Sequence, residues 1–185
     1  MPGAATWIAD ACCVLLCAIA AARDLATHRI PNLLNLGGFV LGLALAFARR
    51  AAANGPLAGV VAGVVPALGG AAVLFTTFLV IALFGAVGMG DVKLMGAVGA
   101  FLGWPLTYRV LVDVLLAGAA VAVVRGLLRG ELGAALRNLG RGARSLVGGK
   151  GTAQADLHPM PYALGIFFGV SWTVLGRYFP AARFP

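Results

Sequence analysis

Two carboxylates in this chain stand where a charge is costly. Asp91 closes the run Gly88-Met89-Gly90-Asp91, set between a long stretch almost free of charge and the next apolar segment. Asp24 lies in Arg23-Asp24-Leu25-Ala26-Thr27-His28-Arg29-Ile30-Pro31-Asn32, directly after the first apolar segment. An ionised group moved toward hydrocarbon costs a few kcal/mol, so each acid is a functional-site candidate with a partner to be found. Two carboxylates held close together cannot both ionise cheaply, so one keeps a proton while the other activates water. Such a pair hydrolyses an amide without metal or covalent intermediate: the unprotonated member is general base, and the protonated one hydrogen-bonds the scissile carbonyl. Gly88 and Gly90 suit that purpose by removing side-chain bulk and permitting unusual backbone angles beside Asp91, which lets an extended substrate approach. The plainer alternative is a loop before a helix with Asp91 as its N-cap, and Asp24 as a solvated acid beyond a helix end.

The elements that must position these acids follow from composition. Of 185 residues, 61% are hydrophobic and 11% charged, and the mean hydropathy is +0.97. One water-soluble core cannot hide that many apolar side chains, so the chain reads as an integral membrane protein. Six apolar stretches approach the roughly 20 residues a spanning helix needs, at about 5–23, 33–48, 57–85, 92–107, 108–125 and 160–178. Their continuity, without two-residue alternation, favours helices over a barrel. Pro66 and Gly69-Gly70 predict a kink or tilt in the third stretch, whose division into two segments is the main threat to the count. The expected fold is therefore all-α, one domain over 1–185, a bundle of about six transmembrane helices. No Lys or Arg precedes Arg23, so the first segment reads as a retained helix rather than a cleaved signal.

The formal net charge of +8 does not indicate nucleic acid, because the basic residues separate apolar runs rather than forming a patch. They read as topology signals. With six spans, one side collects Arg23, Arg29, Lys93, Arg125, Arg129, Arg137, Arg141, Arg144 and Lys150, and the other Arg49, Arg50, Arg109, Arg177 and Arg183. The richer side is expected to be cytoplasmic, with both termini outside and the basic stretch 125–150 as a cytoplasmic loop near membrane lipids. Asp24 and Asp91 then share the cytoplasmic end. Asp10 and Asp113 fall toward the opposite end, and Arg109, four residues before Asp113, is its natural partner. Glu131 and Asp156 sit in the polar loop. Cys12, Cys13 and Cys17 lack the spacing of a metal site and read as packing residues in the first helix. No metal or cofactor is expected.

Gly88-Met89-Gly90-Asp91-Val92-Lys93-Leu94, Asp24 followed by Ile30-Pro31-Asn32, and Pro161-Tyr162-Ala163-Leu164-Gly165 together resemble the type IV prepilin peptidases, membrane-embedded Gly-x-Gly-Asp aspartic proteases. The resemblance implies removal of the short basic leader of prepilins or pseudopilins at the cytoplasmic face of the inner membrane, typically after a glycine. Asp24 and Asp91 match the catalytic pair, with Gly88, Gly90 and Lys93 in support. Lys93 reads equally as a substrate contact or as a snorkelling anchor, and His28 as an interfacial loop residue. Larger members carry an amino-terminal region with paired Cys-x-x-Cys motifs that methylates the product. This chain begins almost at its first helix, so proteolysis without methyl transfer is expected, as in tight-adherence, Flp-type pilus systems, whose assembly machinery is a further expected partner. Two other classes compete: a small transporter or ion relay using Asp24 and Asp91, and a catalytically silent scaffold. Acids near one face rather than at the midplane, and no inverted repeat, count against the transporter.

Overall fold

A computed structural model describes residues 4–83, 87–129 and 162–179. The expected loop acids Glu131 and Asp156, most of the basic stretch, both termini and residues 160–161 lie outside the described residues. The described residues form six helices and no strand: α1 (Ala4–Thr27), α2 (Asn32–Asn54), α3 (Pro56–Leu83), α4 (Met89–Leu102), α5 (Thr107–Arg129) and α6 (Ala163–Tyr178). Each matches one of the six apolar stretches. Helices α1, α2, α3 and α5 are long and apolar enough to cross a membrane by themselves. At 1.5 Å per residue, α4 and α6 reach only about 21 and 24 Å, short of the roughly 30 Å hydrocarbon layer.

The third stretch stays whole. Pro66 has no N–H to give the carbonyl one turn back, and the helix absorbs this with a π-turn at Val60–Val64 ahead of it. The Pro66 carbonyl instead accepts the Trp104 N–H at 3.0 Å, tying α3 to the turn after α4. That turn ends α4 five residues before the apolar run does. Gly103 has φ +63, a left-handed conformation a side chain resists, and Thr107 then starts α5.

Helix α4 is the centre of the bundle. Val92 and every residue from Leu94 to Phe101 are buried, against α1, α2 and α3. Such enclosure requires close backbone approach, and small residues supply it. A Cβ built on Gly99 would lie 2.6 Å from the backbone nitrogen of Ala71, so α3 and α4 meet with no side chain between them. The pair α5 and α6 closes similarly where Gly165 lies against the Gly118 backbone, and α6 also packs on α1. Cys13 and Cys17 are fully buried in the core, in keeping with the packing role read from the sequence.

Candidate active site

The chain reverses at Arg29-Ile30-Pro31 and again at Val87-Gly88, and these turns bring the end of α1, the start of α2 and the start of α4 to one end of the bundle. Helix α1 runs four residues past the apolar stretch and stops at His28, whose φ is +51. Asp24 is therefore not a solvated acid beyond a helix end. It is part of the last turn of α1, half-buried, with Oδ2 enclosed and without a hydrogen-bond partner among the described residues. The backbone N–H of Ala163, opening α6, is directed at its carboxylate.

Asp91 is 6% exposed. It is the third residue of α4 and not its N-cap, which is Gly88. Oδ2 accepts the Gly88 N–H at 3.2 Å, reaching back to the cap and favouring negative charge at the helix start. Oδ1 is buried with no hydrogen-bond partner among the described residues. Asp24 and Asp91 are close enough for the charge of one to act on the other. Each thus presents one uncommitted buried oxygen at the same end of the bundle.

The glycines work differently from the expectation. Gly88 is extended, with φ −79, and Gly90 is helical, so neither uses the backbone freedom proposed for it. Gly88 supplies the N–H that holds Asp91. At Gly90 the missing side chain matters, because a Cβ there would meet Ile30 Cβ at 3.3 Å. Ile30 packs over the first turn of α4, and Asn35 Nδ2 donates to the Gly90 carbonyl at 3.1 Å. Asn35 is 4% exposed, and it pins the turn that carries Asp91 to α2. Lys93 faces outward and donates to Asn32 Oδ1 at 2.8 Å, a second tie between α4 and α2. Tyr162, just before α6, lies within reach of the Asp91 charge, with its ring edge-on to Phe78. His28 is exposed in the loop.

Sequence reasoning missed Asn35, and it named Tyr162 only within the motif before the last helix, without a role. A buried amide three residues after Asn32, in an otherwise apolar helix, was the signal for Asn35, since such groups are kept only where they find partners. Its partner is 55 positions away and has no local signature. The other acids stand elsewhere. Asp113 lies 3.6 Å from Arg109 Nε, as expected, and also accepts the Thr173 hydroxyl at 2.6 Å. Asp10, at the far end, accepts Arg177 Nη1 at 2.7 and 3.0 Å and the Tyr178 hydroxyl at 2.7 Å. Both are committed to hydrogen-bonded partners, whereas Asp24 and Asp91 each keep an oxygen uncommitted.

Two half-committed carboxylates at one end of the bundle, each within reach of the other's charge, can orient water. The described residues contain no group of three His, Cys, Asp or Glu side chains arranged to hold a metal. A family model for the type IV leader peptidases matches residues 11–124, which include Asp24, Gly88, Gly90, Asp91 and Lys93 but not Tyr162 or α6. No curated protein and no solved structure matches the chain. That match extends over more than half of the chain and both aspartates, in agreement with the motifs that first pointed to it: the chain belongs to the type IV leader peptidase family.

Proposed function

We propose that the chain is an aspartic endopeptidase of the inner membrane that removes the short basic leader of Flp-type prepilins or pseudopilins at the cytoplasmic face, after a glycine. The observation that carries this reading is the pair of enclosed, unpartnered oxygens on Asp24 and Asp91 at one end of the bundle. In the proposed reaction the pair shares one proton. The ionised member takes a proton from water as it attacks the scissile carbonyl, and the protonated member donates to the carbonyl oxygen as charge develops there. The first aspartate then gives its proton to the leaving amine as the C–N bond breaks, the other takes one back from the gem-diol hydroxyl, and the roles belong to the pair. Gly88 and Gly90 hold Asp91 in place through the cap and the close fit to Ile30, and Lys93 spans from α4 to Asn32.

A cavity of about 730 Å³ runs from Lys93 and Asn35 between α2 and α3, walled by Leu36, Phe39, Leu68 and Phe75. It gives the apolar segment that follows a prepilin leader an apolar path that starts at Lys93, two residues along α4 from Asp91. The test is cleavage of a candidate prepilin in membranes at matched expression, read as a mobility shift with termini defined by mass. Asp24→Asn and Asp91→Asn should each lower the rate at least about 100-fold. A single variant that still cuts at the wild-type rate refutes the two-aspartate mechanism.

A further inference from the structure

At the end of the bundle opposite Asp24 and Asp91, a cavity of about 680 Å³ is lined by four arginines. Arg49 and Arg50 come from the last turns of α2, Arg109 from the first turn of α5, and Arg177 from the last turn of α6. Arg177 is paired with Asp10, and Arg109 stands beside Asp113. Arg49 donates from Nε to the Leu45 carbonyl at 3.2 Å and from Nη2 to the Phe101 carbonyl at 3.3 Å, both neutral acceptors. Among the described residues, four guanidinium groups therefore face two carboxylates, which leaves two positive charges in excess at one cavity.

The aromatic residues indicate the depth of that cavity. Trp7 stacks on Tyr178 with ring centroids 3.8 Å apart, and Trp104 meets Tyr108 edge-on at 4.5 Å. Trp7, Trp104 and Tyr108 are exposed, and all four belong to this end of the bundle. Exposed Trp and Tyr gathered at one level mark the membrane–water interface, where headgroups lie. Trp104 itself lines the cavity, and the buried part of its wall is apolar, with Ala46, Ala67 and Phe101.

We propose that this cavity binds the phosphate of an anionic phospholipid headgroup. Guanidinium groups offer paired N–H donors matched to phosphate oxygens, and the excess charge favours a lipid of net negative charge over a zwitterionic one. The aromatic girdle and apolar wall select a lipid over free phosphate, because the glycerol and the first acyl carbons find apolar surface beside the arginines. A headgroup seated there spans α2, α5 and α6 and ties the α5–α6 pair to the rest of the bundle. The site stands independently of the peptidase reading.

The test uses the full-length protein in uncharged detergent, titrated with phosphatidylglycerol, phosphatidylcholine or inorganic phosphate, with bound lipid counted by native mass spectrometry and the melting temperature followed in parallel. Wild type should bind phosphatidylglycerol at least about tenfold more tightly than phosphatidylcholine. Each basic residue near an anionic headgroup contributes about fivefold, so Arg50→Gln/Arg109→Gln should weaken phosphatidylglycerol binding by about 25-fold and leave phosphatidylcholine unchanged. Arg50 is exposed, so Arg50→Gln alone preserves the packing and should weaken binding about fivefold. Wild-type affinity in that single variant, or equal binding of the two lipids, overturns the proposal. Inorganic phosphate that displaces phosphatidylglycerol and raises the melting temperature equally would overturn the lipid assignment in favour of free phosphate.

Discussion

Asp10 provides a sharp test of the division of labour among the acids, because it is the most deeply buried of the described carboxylates and lies far from the proposed chemistry. It is 1% exposed and accepts hydrogen bonds from Arg177 and Tyr178. Asp10→Ala leaves the Arg177 guanidinium and the Tyr178 hydroxyl facing one another without their acceptor. Breaking a fully buried ion pair costs about 3–5 kcal/mol, but the Arg177 side chain is 27% exposed, which lowers the expected loss to about 2–3 kcal/mol. For a chain of this size that is about 4–12 °C in melting temperature. Adding Arg177→Ala should cost much less than its effect alone, because the two residues share one interaction. The melt can be followed with a thiol-reactive fluorophore in a Cys12→Ala background, since Cys12 is half-exposed whereas Cys13 and Cys17 are fully buried and react only as the bundle opens. Cys13 is one turn from Asp10, so peptidase activity remaining after heating provides a second probe, at the opposite end of α1. Below its melting temperature the variant should cleave substrate at the wild-type rate. A melting temperature within about 1 °C of wild type on both probes would refute the energetic reasoning. Loss of cleavage in a folded variant would bring Asp10 into the catalytic machinery.

Asn35→Leu keeps the branched shape with a bulkier side chain but removes the bond to the Gly90 carbonyl, which should lower kcat about tenfold by loosening the turn that carries Asp91, with KM changed less than about twofold. An unchanged kcat would show that Asn35 does not position the site. Gly99→Val places a branched side chain against the Ala71 backbone and should cost about 3 kcal/mol or more, read as lost folded protein in the thiol melt. Gly37→Ala, by contrast, enters open space on α2 and should raise stability by about 0.5–1 kcal/mol in the same assay.

The helices could be read from the sequence because each is a continuous apolar run, and the two aspartates because charge is rare among such runs. Hydropathy hid the end of α4, because Leu102-Gly103-Trp104-Pro105-Leu106 is as apolar as the helix before it, although Gly103 followed by Pro105 is a local stop signal. What stops the helix is the left-handed Gly103 and a hydrogen bond from Trp104 to Pro66, a contact that exists only after α3 and α4 have packed. The end of α1 was misjudged for the opposite reason: hydropathy falls at Arg23, but Leu25 and Ala26 are good helix formers and carry the helix on to Thr27. The fastening of Asp10 to Arg177 joins residues 167 positions apart, and no local pattern announces it. The unusual backbone angles expected beside Asp91 are not found there; positive φ occurs instead at His28, Gly55 and Gly103 among the described residues, so glycine frequency alone was a poor guide to backbone geometry.

The enclosure of α4 bears on how the protein is made. A helix of 14 residues, with Asp91 in its first turn and Lys93 two residues on, is too short to cross a bilayer unaided, while α1, α2, α3 and α5 are each long and apolar enough to do so. Its insertion therefore depends on neighbours that are already in place, above all α3, whose backbone it touches. Asp91 thus meets Asp24 only where α1, α2 and α3 have packed around its helix, so the surroundings of the two acids belong to the folded bundle and not to the segment alone.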